Sequence, residues 1–423
     1  MKIIISRITV LLALLAITTT SAKADVNLSQ SDAVYWGIFE EGLQTDLSRV
    51  QTYATDLGKS PAMVMWYIDW RNSGFPLTEA RNVYKAGYVP HVVWEPWIGL
   101  DEILAGKWDS YLQTFGQSVH DFGHPVMLRF AHEFNGDWYP WNYDNGDMNG
   151  TIAAASKWIQ TYQYVHDKIV AAGGSNAIWL WSPNVGNGGK NSQDITAYYP
   201  GDKYVDWIAV DGYNWGTSQS WSTWQTFTDV FGGTYNKLVS NYPGKPIMLG
   251  EFGCSSTGET ANRDKVSWIN DLFLQLKNNY PHIKAFTWFN VNKETDWRFN
   301  TTAQSKAAFK TGVQDNFVSS DITKLVAITA SEQTSSSASS TSSSSSSVAT
   351  SSSVATSSSV ASSSSSEISS SSSSVQSSSS SSEKSSAPAT SGGGGGKSGG
   401  GSVDMWSLLL MLLFVGISVK ATE

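Results

Sequence analysis

The chain has 423 residues, a formal net charge of −8 and a single cysteine, Cys254. An acidic balance with no basic run in the globular part argues against nucleic acid as a partner. One thiol excludes an internal disulfide, so stability must come from a large core.

The first residues have the layout of an export signal. Lys2 and Arg7 form a positive start, Val10 to Ile17 is apolar, and Ser21-Ala22-Lys23-Ala24 offers a cleavage site before Asp25. Residues 1–24 are therefore expected to be a signal peptide, and the protein to be exported. A globular part follows over residues 25–315, long enough for one (β/α)8 barrel.

Eight apolar runs within it read as strands: Val34 to Glu41, Ala62 to Trp70, Tyr88 to Trp97, Val126 to Asn135, Ala177 to Asn184, Trp207 to Asn214, Ile247 to Gly253 and Ile283 to Asn290. Near-continuous apolar character fits parallel strands covered on both faces. The gaps carry helical spacing, as in Trp158, Tyr162, Val165 and Ile169 or Trp268, Leu272, Leu276 and Asn279. Strands alternating with helices predict βα units, and eight of them predict closure into a TIM barrel.

Beyond the globular part the composition collapses into serine. Residues 316–391 are expected to be a disordered linker, 392–402 a glycine-rich segment and 403–423 a hydrophobic tail. The glycine run, apolar stretch and Lys420 resemble the bacterial GlyGly-CTERM sorting tail. That resemblance implies transient membrane anchoring through the tail, followed by surface display or release.

Two carboxyl groups dominate the chemistry. Glu133 falls near the end of the fourth run and Glu251 near the end of the seventh. Strand ends form the catalytic face of a (β/α)8 barrel, and two carboxyls there suit the paired acids of glycosidic bond cleavage. The glycines around Glu251 are expected to let a sugar approach the backbone. Nineteen Trp and 17 Tyr exceed what a core of this size needs. Rings stacking on the axial C–H faces of sugars account for part of them and core filling for the rest. Cys254 lies close to Glu251 but reads as a small buried residue rather than a nucleophile. The Asp144 to Gly150 segment departs from the EF-hand spacing and reads as a turn-rich loop, and no metal or other cofactor is expected.

The stretch Arg129-Phe130-Ala131-His132-Glu133-Phe134-Asn135-Gly136-Asp137-Trp138-Tyr139-Pro140-Trp141 resembles the acid/base signature of glycoside hydrolase family 26. Trp179 to Asn184, Tyr199 to Asp202 and Asp206 to Tyr213 are similar to the same family. The resemblance implies a retaining barrel with Glu133 as general acid/base and Glu251 as nucleophile. It also implies that His132 contacts the substrate or orients the acid/base, that Tyr213 hydrogen-bonds the nucleophile, and that Trp288 floors the subsite of the reacting sugar. Trp94, Trp138, Trp141 and Asn135 complete the expected substrate-binding or supporting set. Glu95, beside Trp94, reads equally as a cleft-lining residue or as a brace.

The implied substrate is a β-linked cell-wall polysaccharide, acted on by a monomer. Trp94-Glu95-Pro96-Trp97 and Trp138-Tyr139-Pro140-Trp141 lean toward β-1,3-1,4-glucan, with mannan as the alternative within the family. The enzyme could equally act on the organism's own exopolysaccharide. A reading from another class is an inactive barrel that binds carbohydrate at the cell surface; the presence of both glutamates argues against it.

Overall fold

The computed structural model describes residues 33–141, 152–186 and 194–328. The expected signal peptide, most of the serine-rich linker, the glycine segment, the tail and the Asp144 to Gly150 loop lie outside them. The described residues all fall within one compact unit.

Eight parallel strands close on themselves in chain order: β1 (Val34–Phe39), β2 (Met63–Asp69), β3 (Val89–Glu95), β4 (Val126–Phe130), β5 (Ala177–Trp181), β6 (Trp207–Asn214), β7 (Ile247–Cys254) and β8 (Ile283–Phe289). Closure is made by β8 pairing with β1, Trp36 opposite Phe286, and by β1 pairing with β2. Helices α1 (Leu47–Leu57), α2 (Leu77–Lys85), α3 (Leu100–Leu104), α4 (Asp109–Phe122), α5 (Ile152–Ala171), α6 (Phe227–Asn241) and α7 (Lys265–Asn278) lie between strands, and α8 (Ala303–Gln314) follows β8. Among the described residues the β5–β6 connection holds two short 3-10 turns, Ile195–Tyr198 and Asp202–Tyr204, in place of an α-helix. Local chemistry sets their ends. Asp46 and Asp264 accept from the first turns of α1 and α7, Thr226 and Asp229 form a capping box on α6, and Gly58 closes α1 in the left-handed conformation.

Because side chains alternate along each strand, the barrel interior is built in layers. Tyr35, Met63, Val89, Met127, Leu180, Trp207, Met248 and Ala285 pack the floor. Phe39, Met65, Val93 and Phe289 pack near the mouth with Trp297. Between them the inward positions are polar and buried: His91, Arg129, Ser182, Asp211 and Thr287. The outward residues of the same strands meet the helices in one large core. That core absorbs most of the aromatic excess, since ten tryptophans are buried in it.

Two departures from regular strand geometry shape the mouth of the barrel. The fourth run was expected to be extended through Asn135, but β4 stops at Phe130. Ala131 and Glu133 have left-handed backbones (φ 46° and 50°), which no ladder accommodates. On β7 the register with both neighbours shifts around Gly250 and Glu251. Leu249 and Phe252 both pack outward, so this bulge turns two consecutive residues, Gly250 and Glu251, into the barrel.

Ordered structure also continues past residue 315, where the globular part was expected to end. A short strand, β9 (Val318–Ser319), pairs with the start of β1. A helical turn over residues 322–328 then lays Leu325 and Ile328 into the floor layer. The serine-rich composition begins only after this plug, whose seven residues are too short a run to stand out in the sequence. Leu325→Ala is expected to destabilise the barrel by roughly 2–3 kcal/mol, measured by chemical denaturation. An unchanged midpoint would mean that the plug is not part of the core.

Candidate active site

The site is assembled at the carboxyl ends of the strands. Arg129, inward on β4, lies at its base with a fully buried side chain. Its guanidinium forms a close ion pair with Asp211 of β6 and a longer one, 3.4 Å, with Glu251. Its Nε donates to Ser182 Oγ at 2.8 Å. Burial works against this charge, but Asp211 and Glu251 outweigh it and hold Arg129 protonated. Gly250 makes the arrangement possible. A Cβ there would lie 2.8 Å from the Asp211 carboxylate and 3.0 Å from Ala209 Cβ. This glycine therefore makes room for the buried acid rather than for a sugar, and Gly253 likewise lies against Trp297 and Tyr213.

Glu251 receives donors from three elements. Tyr213 Oη donates to its Oε1 at 2.8 Å, Tyr67 Oη makes a very short contact with its Oε2, and Arg129 approaches the same oxygen. Burial, and after it the Glu251 charge, push both phenols well up, so they stay protonated as donors. Such a set suits an acceptor-only carboxylate held in one orientation.

Glu133 sits in a different environment. Its backbone is fixed by the Glu133 N–H donating to Ser182 O at 2.7 Å, which holds the left-handed turn against β5. Asn184 Nδ2 donates to Oε1 at 2.6 Å and Trp138 Nε1 to Oε2 at 2.7 Å. Burial, followed by repulsion from Glu251, nevertheless raises its carboxyl to about 7. One mouth thus holds a carboxyl that keeps its proton near neutrality and another surrounded by donors. Environments that differ in this way separate an acid from a nucleophile.

The structure brings several expected residues together and separates others. His132 is buried, its Nε2 lies 3.1 Å from Tyr139 Oη, and burial lowers its pKa so that it is neutral. Trp141 donates to His132 O at 2.8 Å and stacks on Tyr139, bracing the turn from below. Asn135 is also a brace: its side chain bonds Asn184 O, Asn184 N and Gly186 O, tying the β4 turn to the end of β5. Trp288 and Trp94, expected at the substrate, both face the helices. Trp288 is fully buried against Phe252 and Phe309, and Trp94 against Phe115. Strand alternation accounts for this, because Thr287 and Phe289 point inward on β8 while Trp288, between them, points out. Trp297, from the β8–α8 loop, packs on Tyr213 at 4.6 Å instead.

Arg129, Asp211, Tyr67, Ser182 and Asn184 were not singled out from sequence. The signal was present for two of them: a charged residue inside an apolar parallel strand, as Arg129 and Asp211 are, must face a polar interior. Glu95 is buried, its Oε2 accepts from Trp97 Nε1 at 2.9 Å, and burial raises it to about 8. Trp97 itself has a left-handed backbone (φ 51°) and lies under the Arg71 guanidinium. Cys254 is buried and burial pushes its thiol up, so it remains an uncharged packing residue. Among the described residues no group of three or more His, Cys, Asp or Glu could hold a metal ion.

A closed (β/α)8 barrel with two glutamates buried in its mouth, on the fourth and seventh strands, has the layout of a glycoside hydrolase. Residues 109–245, which contain Glu133, match the family model described as glycosyl hydrolase family 26. Endoglucanase H of Acetivibrio thermocellus is 34% identical over 275 residues, covering 64% of this chain and 29% of that protein. A mannan endo-1,4-beta-mannosidase of Bacillus subtilis is 31% identical over 236 residues, covering 52% and 57%. The chain thus spans less than two thirds of either relative. The catalytic domain of the Bacillus sp. JAMB-750 GH26 endo-beta-1,4-mannanase superposes with a TM-score of 0.52 at 18% identity, over 72% of this chain and 92% of that one. The resemblance to family 26 therefore rests on a family model and homologues as well as on the sequence motifs, and the structural likeness supports the barrel.

Glu95 also makes stability depend on pH. A carboxyl raised from 4.5 to about 8 holds a proton in the fold that the unfolded chain has released. Its contribution to stability is complete below about pH 4.5 and is lost as the pH rises toward 8. Glu95→Gln keeps the acceptor for Trp97 and removes the titration. It is expected to be more stable than the parent by on the order of 2–4 kcal/mol at pH 8 and about equally stable at pH 4. Thermal melts at the two pH values decide; a pH-independent difference would show that folding does not raise the Glu95 carboxyl.

Proposed function

We propose that this protein is a retaining endo-β-glycanase of family 26. In the first step Glu251 attacks the anomeric carbon of a β-linked sugar while Glu133 gives its proton to the departing glycosidic oxygen. In the second, Glu133 takes a proton from water, which attacks the same carbon and releases Glu251. Tyr213 and Tyr67 aim the nucleophile, and Asn184 and Trp138 aim the acid. The observation that carries this reading is the contrast between a three-donor carboxylate at Glu251 and a proton-retaining one at Glu133.

For the substrate we favour β-1,3-1,4-glucan. The support is the partly exposed indoles of Trp97 and Trp138, which bond Glu95 and Glu133, together with a relative named as an endoglucanase. Mannan is the second reading, favoured by relatives named as mannan endo-1,4-beta-mannosidases. We also infer export, from the layout of residues 1–24, and transient anchoring through the tail, from residues 392–423.

Reducing-end release from barley β-glucan, lichenan, galactomannan and β-1,3-xylan tests the proposal. The two glucans are expected to be cut fastest, and Glu251→Ala to lose activity by a factor of about a thousand or more. Preferential cutting of galactomannan would establish the second reading. Binding without turnover would favour a carbohydrate-binding protein over an enzyme. In the parent, kcat/KM is expected to fall above about pH 7 as Glu133 loses its proton, and Glu133→Gln to lack that alkaline limb. An alkaline limb that survives the substitution would remove Glu133 from the acid role.

A further inference from the structure

The loop from β6 to α6 carries three tryptophans that the reaction leaves unused. Residues 215–226 read Trp-Gly-Thr-Ser-Gln-Ser-Trp-Ser-Thr-Trp-Gln-Thr, without one charged side chain. Indoles, hydroxyls and amides suit a neutral, hydroxyl-rich ligand and offer nothing to an ionic one.

The loop is held rigidly. Asn214 Oδ1 accepts from Gly216 N at 3.1 Å and from Gln225 N at 3.0 Å, so one side chain closes both ends. Thr217 N donates to Thr257 O at 3.0 Å, which docks the loop on the segment after β7. Gly216 adopts φ 56°, and a Cβ there would fall 2.0 Å from that same carbonyl. Only glycine permits the contact.

From this base a row of rings leads out of the mouth. Tyr213, which donates to Glu251, packs on Trp297 at 4.6 Å. Trp297 meets Trp215 edge to face at 4.7 Å, and Trp215 meets Trp221 at 5.2 Å. Trp221 is 38% exposed and is the one aromatic among the large exposed apolar side chains of the described residues. The other two, Val170 and Leu274, sit on the outer helices α5 and α7. An exposed indole on a rigid loop, continuous with the reacting centre, loses little freedom when a flat ligand covers it.

We propose that Trp215 and Trp221 form an outer sugar-binding subsite, where one further pyranose of the β-linked chain stacks beyond the rings at the cleavage site. The proposal rests on the hydrolase reading above and adds a residue that reads chain length. A polymer reaches Trp221 while a disaccharide bound at the carboxylates does not. The subsite thus raises affinity for long substrates selectively.

The test uses the full chain as the parent, Trp221→Ala and Trp221→Phe. KM is measured on barley β-glucan and galactomannan and on the aryl glycosides of cellobiose and mannobiose. Trp221→Ala is expected to raise the ratio of polymer KM to disaccharide KM about fivefold, as for the loss of one ring contact. Trp221→Phe should restore most of it, and the melting temperatures of all three should agree. An unchanged ratio overturns the proposal, as does a rise that follows a fall in melting temperature. If the parent turns over none of these substrates, the hydrolase reading fails separately, and retardation in gels containing each polysaccharide decides. Weaker retardation of Trp221→Ala supports the subsite; equal retardation, or none by the parent, overturns it.

Discussion

A single guanidinium, buried between Asp211 and Glu251, determines how the mouth of this barrel is arranged. Arg129 cannot shed its proton, and removing a charge from water costs several kcal/mol unless partners replace the solvent. Asp211 and Ser182 replace it on one side and Glu251 on the other. One buried guanidinium does not balance four buried carboxyl groups. Burial and mutual repulsion therefore leave Glu133 and Glu95 holding their protons up to about 7 and 8. The different surroundings of Glu133 and Glu251 thus depend in large part on where Arg129 sits and on the close packing that Gly250 permits.

Both glutamates of the mouth are delivered by irregular backbone. Glu133 sits on a left-handed residue held between β3 and β5 by hydrogen bonds of Ala131 and itself. Glu251 sits on the β7 bulge. A regular strand would point alternate residues inward and could not place Gly250 and Glu251 side by side. Local departures from ideal geometry of this kind persist only where surrounding contacts over-determine them. Asn135, Trp141 and Ser182 are those contacts at β4, which makes them structural supports of the acid rather than direct partners of a ligand.

The eight strands were legible because parallel strands covered on both faces are mostly apolar, and every run from Val34 to Phe289 is rich in apolar residues despite an occasional inward polar one such as Arg129 or Asp211. Glu133 and Glu251 were legible for the opposite reason: carboxyls closing such runs have no place in a core. The facing of individual tryptophans was not legible. Trp94 and Trp288 carry the same chemistry whether they point at sugar or at helix, and only the alternation set by neighbours such as Glu95 and Thr287 separates the two. The left-handed turn at Glu133 was hidden as well, because neither Ala131 nor Glu133 is a residue type that announces positive φ. The plug over residues 322–328 escaped notice because Ile322, Leu325, Val326 and Ile328 span barely two turns, too short a run to stand out beside the serine-rich sequence that follows.

That plug also fixes a mechanical polarity. Ala33 packs beside the floor layer and Ile328 lies within it, so the described chain begins and finishes at the end of the barrel remote from Glu133 and Glu251. A pull on either flank is borne by β1, β9 and the floor, through strands loaded along their length. The turn at Glu133 and the bulge at Glu251 lie outside that load path. The geometry of the two glutamates is therefore insulated from tension on the flanks.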